Sequence, residues 1–274
     1  MSKFEILCVT MHQTDFSKIR QMNIASDVVF ANQTNHTDYG ELLFDEIHKA
    51  RMISTATRGV GINRNLALMY AQGEICLFAD DDVTYCDNME QIVLDEFQKN
   101  PSADVMIFHL ETDDPVRKQK KYSKTRRCFR FERMPWGGCR IAFRLSSVQK
   151  ANICFTTLFG GGALFPSGED SMWLNSARKS GLNFYVSNQT IGKVSFETST
   201  WFDGDEEKFY FGKGAYYAAT HPKTFSIWMT YFLLRTRKSR KMSFSDKIKW
   251  MKLGGDGYKN MKPFDEMKRK SGIR

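Results

Sequence analysis

An apolar run, Ile75-Cys76-Leu77-Phe78-Ala79, passes without a turn residue into Asp80-Asp81-Asp82 and resumes at Val83. A strand apolar enough to be buried must therefore end where three carboxylates are tolerated side by side. Like charges this close raise one another's pKa unless a divalent cation or several hydrogen-bond donors neutralise them. Carried through the triplet, strand alternation puts Asp80 and Asp82 on one side and Asp81 on the other, so that two hard oxygen ligands face one ion. Such a pair on a strand-ending loop suits Mg2+ or Mn2+, which keep positions open for water and for the phosphate oxygens of a substrate. A solvated acidic turn is the plain alternative. A calcium loop of the EF-hand kind fits poorly, because Val83-Thr84-Tyr85-Cys86 continues with apolar and aromatic residues where that loop needs alternating oxygen donors and a central glycine.

Strand-like runs recur at Glu5 to Val9, Asp27 to Ala31, Met52 to Thr57, Ile75 to Ala79 and Asp104 to Leu110, with helical patterns between several of them. This alternation predicts an α/β domain with a mainly parallel central sheet. Between Val60 and Gln72, the residues Ile62, Leu66, Met69 and Tyr70 fall at helical spacing and Gly73 stands at the stop position, which predicts a strand, helix, strand unit ending at the triplet. Ligands of open α/β sheets bind outside the carboxyl ends of the strands. Thr10-Met11-His12 after the first strand and Asn32-Gln33-Thr34 after the second reach that same end. Arg58 and Arg64 bracket Gly59 and Gly61 at the helix start, where backbone N–H groups and guanidinium charge both favour an anion.

A second block opens near Pro135-Trp136-Gly137-Gly138 and includes Gly160-Gly161-Gly162 and Ser167-Gly168-Glu169-Asp170-Ser171-Met172-Trp173. There a loop becomes a helix at an acidic pair. Ser167 with Asp170 fits the S-x-x-[DE] capping box, and acids are stabilised at a helix start, so capping and catalysis both stay open for Asp170.

With 274 residues, 42% hydrophobic and 26% charged, the chain has enough apolar surface for one large or two small domains. No stretch approaches a membrane span, and Met1-Ser2-Lys3-Phe4-Glu5 runs into a strand without a signal-peptide pattern, which predicts a cytoplasmic protein. Six scattered cysteines without C-x-x-C spacing read as reduced, with Cys8 and Cys76 in the core. The five histidines offer no paired metal motif, and His221 reads as an ordinary loop residue. The formal charge of +9 gathers at Arg117 to Arg133 and at Arg235 to Lys252, which implies anionic partners. The second cluster follows Phe225-Ser226-Ile227-Trp228-Met229-Thr230-Tyr231-Phe232-Leu233-Leu234, an order that fits an anionic membrane surface and equally a core helix with a solvated basic turn.

Taken in chain order, these segments resemble the family-two glycosyltransferases of the GT-A fold, of the bacterial polysaccharide (capsule or lipopolysaccharide) type. Arg58-Gly59-Val60-Gly61-Ile62-Asn63-Arg64-Asn65-Leu66-Ala67 is similar to the family's glycine and R-N-x-A helix start, and Leu77 to Val83 to its D-x-D strand end. Trp136 through Arg144, the three glycines and Ser167-Gly168-Glu169-Asp170 follow in family order. The resemblance implies a Rossmann-like nucleotide-diphospho-sugar transferase fold over residues 1–220, with a donor half to 112 and an acceptor half from 113. A basic aromatic helical segment, 221–274, follows as a candidate for membrane association. It further implies an inverting single displacement from a UDP-sugar to a glycan or lipid-linked acceptor, with Mn2+ or Mg2+ held by Asp80 and Asp82 and with Asp170 as the base. Thr10, His12, Asn32, Arg58, Arg64, Asp80 and Asp81 would then bind the donor, and Trp136, Glu169 and Trp201 the acceptor. The implied location is cytoplasmic, peripheral on the inner face of the membrane, with no nucleic-acid partner.

The chain departs from the family pattern in three places: the first strand lacks the apolar-Pro-Thr-Tyr-Asn ending, the second ends in Asn32-Gln33 where an acid is usual, and Gly138-Cys139-Arg140 varies the turn after Trp136. A nucleotidyltransferase would carry a glycine-rich, Lys- or Arg-bearing loop after the first strand, and Thr10-Met11-His12-Gln13-Thr14 does not. A membrane-adjacent scaffold would explain the basic tail but not the two acidic motifs.

Overall fold

The apolar runs become the middle of one sheet, as their near-continuous hydrophobicity requires of strands covered on both faces. The computed structural model describes residues 3–114, 121–129, 132, 137–195, 206–236 and 242–270. Its Cα packing divides the chain into two units, the first of Met1–Arg58, Ile62–Phe155 and Trp173–Ser199, the second of Gly59–Gly61, Thr156–Met172 and Thr200–Arg274. These units cut the chain at other places than 112 and 220.

In the first unit the strands are β1 (Phe4–Met11), β2 (Asp27–Gln33), β3 (Asp38–Leu43), β4 (Lys49–Thr55), β5 (Ile75–Asp80), β6 (Val83–Tyr85), β7 (Val105–Glu111), β8 (Arg126–Arg127), β9 (Ile141–Arg144) and β10 (Phe184–Val194). Their order is β3-β4-β2-β1-β5-β9-β7-β10-β6, with β8 on β10. The strands β4, β2, β1 and β5 run parallel, as do β7 and β10. Antiparallel pairing joins β3 to β4, β9 to β5 and β7, and β6 to β10. The sheet is thus mixed and mostly parallel. The sequence runs locate β1, β2, β4, β5 and β7 but not β10, which pairs parallel with β7, nor the short or exposed strands β3, β6, β8 and β9.

Strand alternation sorts the core. Phe4, Ile6 and Cys8 of β1 join one cluster with Val28, Phe30, Leu77 and Ala79, while Leu7 joins the other with Val29, Ala31, Cys76 and Phe78. The helices of this unit are α1 (Lys18–Gln21), α2 (Val60–Tyr70), α3 (Met89–Lys99), α4 (Leu145–Lys150) and α5 (Glu169–Lys179), α2 and α5 being shared with the second unit at their first turns. The expected apolar stripe of α2 is buried only in part, Leu66 packing against the core. Met69 and Tyr70 are 80% and 38% exposed, and the inward positions are Asn63, Arg64 and Ala67. Tertiary demand overrides the pattern here, because polar side chains on that face are needed at the strand ends. Trp173 is fully buried against Phe78, Phe143 and Phe155.

The second unit contains α6 (Glu206–Thr220), α7 (Phe225–Arg235), α8 (Phe244–Lys259) and α9 (Phe264–Lys270) around an aromatic core of Phe159, Phe165, Tyr210, Phe211, Trp250 and Phe264. Glycines let α6 and α8 touch backbone to backbone. A Cβ at Gly214 would lie 2.0 Å from the carbonyl oxygen of Met251, and one at Gly254 would lie 1.9 Å from that of Phe211. Much of the basic tail is therefore packed helix. No helix among the described residues is long and apolar enough to cross a membrane.

Candidate active site

The strand β5 stops at Asp80, and Asp81 and Asp82 form a turn before β6. Strand alternation therefore does not carry through the triplet, and the three carboxylates have separate partners. Asp80 Oδ1 accepts from Arg64 Nη2 at 2.9 Å. Arg64 is 1% exposed, its guanidinium lying over the Phe155 ring at 5.3 Å from the centroid and flat against Gly138, where a Cβ would come within 2.7 Å. Asp81 Oδ2 accepts from Thr10 Oγ1 at 2.5 Å, and Lys18 Nζ stands 3.7 Å from the same oxygen while donating to the Asp81 carbonyl at 3.1 Å.

Asp82 lacks such partners. Its Oδ1 is buried with no hydrogen-bond partner, while its backbone carbonyl accepts from Ser195 N at 3.1 Å. Burial first, and then the neighbouring charges of Asp80 and Asp81, push its carboxyl from 3.8 to about 7. Among the described residues two cations thus serve three carboxylates, and the deficit falls on Asp82. An orphaned buried carboxylate oxygen beside two further acids fits a hard divalent cation. Among the described residues no group of three or more His, Cys, Asp or Glu is placed to hold a metal. A cation at Asp80 and Asp82 would complete its shell with water and substrate oxygens, as Mg2+ commonly does.

The other expected donor contacts are structural staples as well. Asn32 is fully buried; its Oδ1 accepts from Gln13 N at 3.1 Å, and its Nδ2 donates to the Gln13 carbonyl at 2.8 Å and to Ser54 Oγ at 3.0 Å. This holds the loop after β1 against β2. His12 sits exposed in that loop with φ 55°, its backbone N–H donating to the Gln33 carbonyl at 2.9 Å. Arg58 is exposed and donates to the Thr34 carbonyl and to Asn35 Oδ1, both at 2.5 Å. Asn63 ties the carboxyl ends of β1 and β2 together by donating to the carbonyls of Thr10 at 3.3 Å and Ala31 at 2.7 Å.

Thr10, Arg64 and the triplet therefore converge, whereas Asn32, His12 and Arg58 shape the neighbouring loops. Lys18 has no place in the sequence reading, and Asn63 and Gly138 enter it only as members of motifs, without a role at the site. Lys18 lies on a four-residue helix too short for periodicity, and no local signal marks a glycine that must admit a guanidinium. Arg140, 2% exposed and pushed below its usual pKa by burial, was read only as part of a variant turn.

In the second unit the acidic pair opens α5. The helix starts at Glu169, so Gly168, at φ 126°, takes the cap position, and Ser167 stands one residue too early for the expected capping box. Glu169 and Asp170 are 1% and 4% exposed, and Glu169 accepts from the Gly168 N–H at 3.0 Å. Met172 N–H donates to the Gly168 carbonyl at 2.9 Å. Trp136 and Trp201 lie outside the described residues. His221 accompanies Thr220 and Trp228, as an ordinary loop histidine does.

Residues 18–148 match the family described as Glycosyl transferase family 2. No curated protein matches the sequence. Among solved structures, that of S. aureus TarS 1-349 is similar with a TM-score of 0.56 at 11% identity, over 96% of this chain and 93% of that one. The same S. aureus protein in complex with UDP gives 0.56 at 15% identity over 93% and 83%, and in complex with UDP-GlcNAc 0.56 at 12% over 96% and 93%. At these identities the likeness is one of fold. The matched stretch begins at Lys18 and includes Arg64, the acidic triplet and Gly138, the groups that surround the uncompensated carboxylate. Over residues 18–148, a little under half of its length, the chain is similar to glycosyl transferase family 2, and its fold is of the GT-A kind.

Proposed function

We propose that the protein transfers a sugar from a UDP-sugar to a hydroxyl of a glycan or lipid-linked acceptor, with inversion, in the synthesis of a bacterial surface polysaccharide. The observation that carries this reading is Asp82, a partly buried carboxylate beside Asp80 and Asp81 with no protein cation of its own. A group that costly is kept where a substrate brings the missing charge. Binding of UDP and UDP-GlcNAc by TarS, which shares the fold, supports the choice of donor.

In this reading Asp80 and Asp82 hold Mn2+ or Mg2+, which when bound supplies positive charge for the leaving diphosphate. Arg64 keeps Asp80 in place and adds its charge to the donor side, together with Arg58 at the start of α2. Thr10 and Asp81 fix the turn, and Asn32 and His12 set the loop that meets the nucleotide. Asp170 accepts the proton of the acceptor hydroxyl, whose high pKa demands a base as bonding to the anomeric carbon develops. Glu169, Trp136 and Trp201 serve the acceptor. The enzyme works in the cytoplasm, peripheral to the inner face of the membrane.

Nucleotide release from a panel of UDP-, GDP- and dTDP-sugars with Mn2+, followed in the wild type and in Asp170→Asn, tests the reading. The expected result is Mn2+-dependent release from one UDP-sugar, with a loss of at least about 100-fold in the variant at unchanged melting temperature. Absence of metal-dependent release from every donor would overturn the transferase assignment, and normal turnover in Asp170→Asn would end the role of that residue.

A further inference from the structure

The helix α7 has two apolar faces, and among the described residues one is packed and the other exposed. Met229 and Leu233 point into the aromatic core, at 7% and 2% exposure. On the opposite side Ile227 is 68% exposed, Trp228 38%, Tyr231 48% and Leu234 59%. At i, i+1, i+4 and i+7 these four form one continuous stripe along the helix. A solvated helix face of ordinary composition would carry charged residues there, and the only one on this side is Arg235.

Cations flank the stripe at both ends, Lys259 among them being paired with Asp256 at 3.9 Å. Arg235 lies over the Tyr231 ring at 5.7 Å and donates to its hydroxyl at 2.8 Å, so its stem runs along the apolar stripe with its head at the edge. At the other end of the helix Lys223 and Lys259 line a shallow hollow with Thr224, Ser226 and Ile227. In sequence, Phe225 to Lys259 carries nine Lys or Arg against two Asp, including Arg237-Lys238-Ser239-Arg240-Lys241 directly after the helix.

We propose that the outer face of α7 is a docking surface for an anionic lipid bilayer, entered by Ile227, Trp228, Tyr231 and Leu234, with the flanking cations on the headgroups. Charge complementarity selects this occupant. A second copy of the chain would bring the same basic segment against itself, whereas an anionic bilayer offers apolar depth and negative charge together. Trp and Tyr, apolar in body and polar at the tip, suit the boundary between acyl chains and headgroups. Lipid docking would hold the enzyme beside a lipid-linked acceptor, but vesicle binding needs neither donor nor metal, so it succeeds or fails independently of the transferase reading.

Co-sedimentation of the full chain with vesicles of phosphatidylcholine alone, and of phosphatidylcholine mixed with phosphatidylglycerol, provides the test. Binding is expected to the mixed vesicles only and to weaken as salt rises through the range where the Debye length falls to about 8 Å. Ile227→Ser with Leu234→Ser removes two exposed side chains and leaves the core untouched, so melting stays at the wild-type temperature while vesicle affinity falls roughly tenfold or more. Replacing Lys223 and Arg235 by Gln is expected to flatten the salt dependence. Wild-type vesicle binding by the Ser pair, or no binding of the wild type to mixed vesicles at low salt, would overturn the proposal. A concentration-dependent dimer that the Ser pair abolishes would also overturn it, assigning the face to a second copy.

Discussion

Removing the charge of Asp82 is expected to stabilise the metal-free protein, and to do so only where that charge exists. The carboxyl is pushed from 3.8 to about 7 by burial and by Asp80 and Asp81. An acid with a raised native pKa makes the native state bind the extra proton. Stability is therefore full below the unfolded pKa, falls as pH climbs towards 7, and levels off above it. At about 1.4 kcal/mol per unit, a rise of about three units amounts to about 4 kcal/mol. Because the side chain is only partly buried, screening by solvent reduces this to about 2 kcal/mol. Asp82→Asn keeps the shape and cannot ionise. In EDTA at pH 8 it should melt about 4–8 °C above the wild type, and the gap should shrink to less than half of this by pH 5, where most of the wild-type loss has yet to occur. With Mn2+ and UDP at pH 8 the order should reverse, since only the wild type gains from the added cation. Scanning calorimetry at the two pH values, with EDTA or Mn2+ and UDP, reads all four conditions. Coincident melting of the two proteins at pH 8 in EDTA would show that Asp82 ionises without cost, and the case for a missing cation would collapse.

Two glycine substitutions probe the supports. Gly138→Ala places a Cβ 2.7 Å from Cζ and both Nη atoms of the buried Arg64 guanidinium, so Arg64 must leave Asp80. The expected cost is about 3 kcal/mol in denaturant unfolding, as for a broken buried ion pair, with weaker Mn2+-dependent UDP binding in calorimetry; wild-type behaviour in both would show that Arg64 is free to yield. Gly254→Ala drives a Cβ to 1.9 Å from the Phe211 carbonyl oxygen, a backbone atom, and is expected to cost about 3 kcal/mol as α6 and α8 are forced apart. Gly161→Ala, with nothing within 4 Å, is the matched control and should melt like the wild type.

Five strands of the parallel part of the sheet, β10 excepted, and the place of the carboxylates are legible in the sequence, because both are written in local pattern. Apolar runs such as Glu5 to Val9 and Ile75 to Ala79 can be little else than buried strands, and Asp80-Asp81-Asp82 must lie where the last of them ends. Local pattern says how apolar a position is, not what will cover it. So the stripe expected of α2 holds only in part: Leu66 packs on the core but Met69 is exposed, while Asn63 and Arg64 go inward for partners supplied by other strands. The same limit left the segment of α7 open between a membrane-facing surface and a core helix, where the structure gives it one packed and one uncovered face, and it hid the burial of Trp173 among three phenylalanines. Only the tertiary structure decided which acid is compensated. Asp81 receives its donors from Thr10 and Lys18, 71 and 63 residues away in the chain, and Asp80 receives Arg64, held by a glycine in another segment. Adjacent in sequence and identical in chemistry, the three aspartates differ only in what the fold brings to them, and for that reason the one left without a cation could not be told from its neighbours until the sheet was assembled.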